Sequence, residues 1–209
     1  MLLSSNYFAW YHECTESSLH TDVLTVSILL IYWFTILSYI SETLDISKNL
    51  LGSIPDLSRL KSLKFLNASN NKITIMPSLP LYGQLDRIYF GENALKDICM
   101  TSLLNSAESI TELLVQANQL IICPDDIYLL RNLKVLDMSN NCLTNLPPSL
   151  GYMTSLQKIL LEGNSIRTIK RPLLSSPVAE ELKTFLRTRG PPPKSEKVSV
   201  RIVHSSEVY

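Results

Sequence analysis

ITELLVQANQL, residues 110–120, and LKVLDMSNNCL, residues 133–143, carry one pattern twice. Aligning the two on Asn118 and Asn141 brings four more stretches into register. They are SETLDISKNLL from Ser41 around Asn49, LKFLNASNNKI from Leu63 around Asn71, LDRIYFGENAL from Leu85 around Asn93, and LQKILLEGNSI from Leu156 around Asn164. Successive asparagines are 22, 22, 25, 23 and 23 residues apart. In each frame the residues five and three positions before the asparagine are apolar: Leu44 with Ile46, Leu66 with Ala68, Ile88 with Phe90, Leu113 with Val115, Leu136 with Met138, and Ile159 with Leu161. Period-two alternation marks a short strand with one buried face. The aliphatic residues two places after the asparagine (Leu51, Ile73, Leu95, Leu120, Leu143, Ile166) point into the same core. So do those five places after it (Ile54, Met76, Ile98, Cys123, Leu146, Ile169). Each coil then has an apolar interior that only its neighbours can cover.

Self-similarity of this kind and period is that of a leucine-rich repeat. It predicts an α/β repeat solenoid: a horseshoe of about six coils with a parallel concave β-sheet and a C-terminal capping helix. A turn must follow each strand, and its backbone groups become buried between coils. An asparagine amide carries donors and an acceptor together and can satisfy them in adjacent coils. Asn49, Asn71, Asn93, Asn118, Asn141 and Asn164 therefore read as a structural ladder rather than a binding site. Asn67-Ala68-Ser69 matches the glycosylation pattern, but Asn67 lies within a strand, so the pattern is read as coincidence.

The sixth position after the asparagine is Pro55, Pro77, Pro124 and Pro147 in four frames, and Cys99 and Lys170 in the others. An apolar residue followed by proline, in coils of about 23 residues, resembles the intracellular leucine-rich repeat class related to Ras-suppressor and plant Ras-group proteins. LLEGNSIRTIKRPLLSSPVAEELKTFLRTR, residues 160–189, is similar to the segment that closes a repeat block in the family of leucine-rich repeat-containing protein 40. That family has GNPLRTIRR followed by an amphipathic helix ending in LRS or LRT. This chain departs from it with Ser165 in place of proline and with Pro172 directly after Arg171. The likeness covers residues 41–189. It implies a fold and a binding role, with regulation of a small GTPase as one reading.

At 209 residues the chain holds one repeat domain plus tails. Lys+Arg and Asp+Glu are both 19, so no overall field draws it to nucleic acid or to an anionic bilayer. The expected partner is another protein, recognised by local pattern, and the chain is expected to be a monomer. Cys14, Cys99, Cys123 and Cys142 do not form the close clusters that cap extracellular arrays with disulfides. That favours a reducing compartment and a cytoplasmic location. His12, Cys14 and His20 have no fourth ligand nearby and fit no closed zinc spacing. Phosphate-cradling loops, HExxH and nucleophile elbows are missing, and acid pairs such as Asp125-Asp126 and Glu180-Glu181 read as solvated faces. No catalytic residue, metal or cofactor is expected.

Four segments follow. Residues 1–40 form a leader without the repeat frame, residues 41–172 the repeats, 173–190 the capping segment and 191–209 a flexible tail. Within the leader, residues 23–40 are 18 uncharged residues, at the lower limit for crossing a hydrocarbon core. Three readings stay open: a single-pass span that leaves the repeats in the cytosol, a cap over the first coil, or a non-native leader replacing a longer array. A cleaved signal peptide fits poorly, because a basic n-region is missing. Residues 77–83 suggest an irregular extended return, and 98–109 a helical turn on the convex side. After Pro177, residues Val178, Leu182, Phe185 and Leu186 share one helix face, while Glu180, Glu181, Lys183 and Arg187 take the others. Gly190 ends the helix and Pro191-Pro192-Pro193 forms a stiff linker. The terminus Glu207-Val208-Tyr209 faintly resembles a PDZ-binding peptide.

Function is then sought on the outward strand positions. Six before the asparagine they are Thr43, Phe65, Arg87, Glu112, Val135 and Lys158. Four before, they are Asp45, Asn67, Tyr89, Leu114, Asp137 and Leu160; two before, Ser47, Ser69, Gly91, Gln116, Ser139 and Glu162. The expected partner-binding set is Phe65, Arg87, Tyr89, Glu112, Leu114, Gln116, Val135, Asp137, Lys158 and Leu160, with Tyr89 and Leu114 as anchors between Arg87 and Glu112. Aromatic and arginine side chains carry much of the energy at interfaces. The plain alternative is a surface ion pair between Arg87 and Glu112, worth a fraction of a kcal/mol. Ser102, on the convex side, is expected to tolerate glutamate.

Overall fold

A computed structural model of the chain describes residues 42–175 and 179–193. The leader with its segment 23–40, the His12, Cys14 and His20 grouping, Val178 and the terminus Glu207-Val208-Tyr209 lie outside the described residues. Among the described residues, no helix is long and apolar enough to cross a membrane.

Six strands of three residues each form one parallel sheet in sequence order: β1 (Thr43–Asp45), β2 (Phe65–Asn67), β3 (Arg87–Tyr89), β4 (Glu112–Leu114), β5 (Val135–Asp137) and β6 (Lys158–Leu160). The register pairs Thr43, Phe65, Arg87, Glu112, Val135 and Lys158 in turn, so columns counted from the asparagine become rows across the sheet. This is the leucine-rich repeat horseshoe. Its core is one continuous stack. Leu66, Ile88, Leu113 and Leu136 are fully buried on the inner face of the strands, and Ile73, Leu95, Leu120 and Leu143 meet them from beyond the turn. Phe90 is the largest fully buried side chain, and in the coil before it the equivalent position holds Ala68. Large against small keeps the coils in contact without a void.

The residue just before each ladder asparagine takes a left-handed backbone: Lys48 (φ 57°), Asn70 (57°), Glu92 (56°), Ala117 (51°), Asn140 (51°) and Gly163 (73°). Here the strand must turn sharply while its N–H still reaches the next coil, as Ala117 N does to Ser139 O at 2.9 Å. A side chain in this conformation costs about 1–2 kcal/mol, and glycine gives back about 0.5–1 kcal/mol in chain entropy. Ala117→Gly is therefore expected to stabilise the array by about 0.5–1 kcal/mol, read as a higher urea midpoint at unchanged slope. A lower midpoint would show that the turn is not strained.

Coil length selects the convex return. The 25-residue interval holds helix α1 (Met100–Leu104), and the two 23-residue intervals hold 3₁₀ turns at Asp125–Leu129 and Pro148–Tyr152. The 22-residue coils return in extended and turn conformations. More residues must fit the same span, so the rise per residue falls. The prolines of the extended return donate nothing, yet its carbonyls are covered by the next coil. Ser102 Oγ donates to Pro77 O (2.8 Å) and Asn105 Nδ2 to Leu79 O (3.0 Å). Ser102 is consequently buried, and the expectation that it tolerates glutamate is corrected: a carboxylate there would face a carbonyl.

The C-terminal end is closed by α2 (Arg171–Ser175) and α3 (Ala179–Arg187). Pro172 sits in the first turn of α2, where its missing N–H is harmless. Helix α3 packs on the 148–152 turn so closely that a Cβ on Gly151 would lie 2.8 Å from Lys183 O. Leu182 and Leu186 are buried, as the amphipathic pattern requires. Lys183 is buried as well, although helical periodicity puts it off the apolar face.

Candidate functional site: the concave sheet face

Five of the six ladder asparagines bridge coils. Each of Asn71, Asn93, Asn118, Asn141 and Asn164 donates to a carbonyl of the preceding coil (Ile46, Ala68, Phe90, Val115 and Met138) at 2.8–3.0 Å. Each also accepts from a backbone N–H of that coil (Leu51, Ile73, Leu95, Leu120 and Leu143) at 2.9–3.0 Å. Asn49, in the first coil, bonds within its own turn to Ile46 O and Ser47 O. These amides are spent on backbone, and they tie each coil to the one before it.

On that face four of the candidate residues come together. The rings of Phe65 and Tyr89 meet edge to face at 5.1 Å and 81°. The Arg87 guanidinium lies 4.9 Å from the Phe65 ring centroid, and Tyr89 Oη donates to Glu112 Oε2 at 2.5 Å. Partial burial, then the Glu112 carboxylate, pushes the Tyr89 phenol above its ordinary range, while Arg87 pulls the other way. Arg87 stacks on Phe65 and approaches Asp86 at 3.8 Å. Its principal contact is thus an aromatic face, and Glu112 is engaged by the tyrosine. The cluster is held by its own contacts. Such preordered aromatic and arginine groups lose little entropy when a partner covers them.

The rest of the set is spread along the sheet. Leu114, Val135 and Leu160 are half-buried in β4, β5 and β6, and Lys158 is exposed at the start of β6. Asp137 accepts from Ser139 N and Oγ at 2.9 and 2.7 Å, so its carboxylate is turned toward its own strand end. Asp45 receives Asn67 Nδ2 at 3.1 Å in the same row. Gln116 lies over Gly91: a Cβ on that glycine would fall 2.3 Å from Gln116 Nε2. Gly91 is in the column two before the asparagine but was not among the expected site residues. Its lack of a side chain, in a column otherwise filled by polar groups, was the available signal. No group of three or more His, Cys, Asp or Glu side chains among the described residues is placed to hold a metal ion.

Comparison with known proteins agrees with this architecture. The Leucine rich repeat family matches residues 108–166. A probable inactive serine/threonine-protein kinase of Dictyostelium discoideum, roco10, is 30% identical over 135 residues, 61% of this chain and 5% of that protein. Keratocan of Bos taurus is 34% identical over 116 residues, 54% of this chain and 32% of keratocan. The solved structure of a leucine-rich repeat protein of Leptospira interrogans superposes with a TM-score of 0.55 at 27% identity, over 60% of this chain and 32% of that one. The chain thus spans a third or less of these relatives, and the likeness to the kinase is confined to a small share of it. With the repeated asparagine frame and the parallel six-stranded stack, these matches identify the chain as a leucine-rich repeat protein.

Proposed function

We propose that the chain is a non-catalytic scaffold that binds another protein through its concave sheet. The observation that carries this reading is the Phe65, Arg87, Tyr89 and Glu112 cluster, preordered on an exposed face made of backbone and half-buried side chains. Leu114, Gln116, Val135, Asp137, Lys158 and Leu160 extend the surface along the neighbouring strands. Cys99, Cys123 and Cys142 are free thiols, which suits a reducing, cytoplasmic setting. The apolar-proline step at Pro55, Pro77, Pro124 and Pro147 supports membership of the intracellular Ras-suppressor and Ras-group-like class.

The test is capture of partners from cell extract by the full chain and two variants, followed by titration of whichever protein is captured. Tyr89→Ala removes an anchor of the cluster and is expected to weaken affinity about tenfold or more, about 1.4 kcal/mol, while leaving the melting midpoint near wild type. Asp126→Ala, exposed on the convex face, is expected to bind as wild type does. Loss of binding on deleting residues 191–209, with Tyr89→Ala unaffected, would move the site to the tail and overturn this reading.

A further inference from the structure

The sixth coil ends on a row of N–H groups that every earlier coil spends on its successor. In the fifth coil Met138 N donates to Leu160 O at 2.9 Å, Asn140 N to Glu162 O at 2.7 Å and Leu143 N to the Asn164 side chain at 2.9 Å. In the fourth, Val115 N, Ala117 N and Leu120 N do the same toward Asp137 O, Ser139 O and the Asn141 side chain. The equivalent donors of the sixth coil are Leu161 N, Gly163 N and Ile166 N, and among the described residues none of them meets an acceptor. Strand β6 is the edge of the sheet on the same side. Helices α2 and α3 cover much of this end, yet a groove of about 690 Å³ stays open between the turn at 161–166 and the flank of α2 at Arg171 and Leu174. It lies where a seventh strand would continue the stack. Acceptors on an extended backbone are what it lacks.

We infer that the chain fills this groove itself: residues 198–202, outside the described residues, add to β6 as a seventh strand. Their sequence, VSVRI, alternates Val198, Val200 and Ile202 with Ser199 and Arg201, a β-branched run without glycine or proline. Their root is fixed beside the groove. Tyr152 Oη donates to Gly190 O at 2.8 Å and Arg189 Nη1 to Thr168 O at 3.0 Å, so the end of α3 is held next to Thr168, whose neighbours Arg167 and Ile169 line the groove. Eight extended residues from Gly190 to Val198 span up to about 26 Å. Coming from Thr168, the segment enters at the turn end of β6 and runs antiparallel to it. Residues opposite one another share a face. Val198, Val200 and Ile202 then continue the core row of Ile159 and Leu161, and Arg201 joins the outward row beside the exposed Glu162. A tethered strand acts at an effective concentration on the order of millimolar, which favours it over the edge of a second copy.

Amide hydrogen exchange of the full chain reads the edge directly. The Leu161 and Gly163 amides are expected to exchange about tenfold or more slowly in the native chain than in the double variant Val200→Asp, Ile202→Asp. Both substitutions lie outside the six coils, so the Leu113 and Val115 amides are expected to stay equally protected in the two proteins, which shows that the array is intact. A chain shortened to end at Pro193 is expected to exchange at Leu161 and Gly163 as the double variant does. Adding a synthetic peptide of residues 194–209 should restore the protection, and the same peptide with both aspartates should not. Equal exchange at Leu161 and Gly163 in the native chain and the double variant would overturn the inference. Restoration by both peptides alike would overturn it too, since the alternating apolar residues would then not be what docks. Protection that grows with the concentration of the full chain would give the edge to a second copy instead of the tail.

Discussion

Asn118→Ala is expected to lower the unfolding free energy by about 3 kcal/mol, whereas Asn49→Ala is expected to cost less than about 1 kcal/mol. Both remove the same side chain from the same place in the repeat. They differ in what is left behind. Asn118 is buried, and its amide donates to Phe90 O across the coil boundary at 2.9 Å and to Val115 O and Gln116 O within its own turn. Its oxygen accepts Leu95 N at 2.9 Å. Alanine would strand the Leu95 N–H of the neighbouring coil away from water, at about 1–3 kcal/mol, and would take the cross-coil donor from Phe90 O, which keeps only Asn93 Nδ2 at 3.1 Å. Asn49 serves Ile46 O and Ser47 O of its own turn and is half exposed, so water can replace it. Urea denaturation of the two variants separates the cases. Equal losses would mean that the ladder does not act across coils. A loss at Asn118 accompanied by a smaller denaturant slope would mean that the array has split into separately melting halves.

This contrast explains why so much of the fold was legible. A solenoid repeats one solution, so a residue type needed at one coil boundary recurs at the next. The intervals between asparagines locate every strand, and the sheet register follows those columns from Thr43 to Lys158. What varies from coil to coil was less legible. The left-handed residue before each asparagine is Lys, Asn, Glu, Ala, Asn and Gly, a mixture with no single signature, because interstrand bonds impose the turn over side-chain preference. Ser102 was misplaced because its burial depends on the proline-rich return of the coil before it, which a reading within one coil does not reach. On the concave face, identities could be listed by column, but who touches whom could not. Arg87 stacks on Phe65 while Tyr89 takes the Glu112 carboxylate, a division of partners that the columns alone do not give.

Lys183 is the sharpest case of the same kind, and it yields the other large effect. Helical periodicity puts it among polar neighbours, yet its side chain is 4% exposed, against 61% for its partner Glu180. The reason lies outside the helix. Helix α3 rests on Gly151 and on the start of the sixth coil, and Lys183 Nζ reaches the carbonyl of Leu156 at 3.1 Å while pairing with Glu180 at 3.1 Å. Nearby, Arg187 Nε donates to Gly151 O at 2.6 Å and Ala179 N to Gln157 O at 3.2 Å, so the cap is fixed largely through backbone carbonyls of the last coils. Lys183→Glu would bury a carboxylate against a carbonyl and beside a second carboxylate, and is expected to cost about 4 kcal/mol. Lys183→Met keeps the apolar stem and strands one carbonyl, at about 1–2 kcal/mol. In a stack where each coil is covered by its neighbour, the damage should be local. Hydrogen exchange is therefore expected to speed up first at residues 158–166 in Lys183→Glu, with Leu113 and Val115 still protected. Uniform loss of protection across all six coils would show that the array melts as one unit. Unchanged exchange at 158–166 in both variants would show that something other than α3 seals the last coil and holds Lys158 and Leu160 in the concave face.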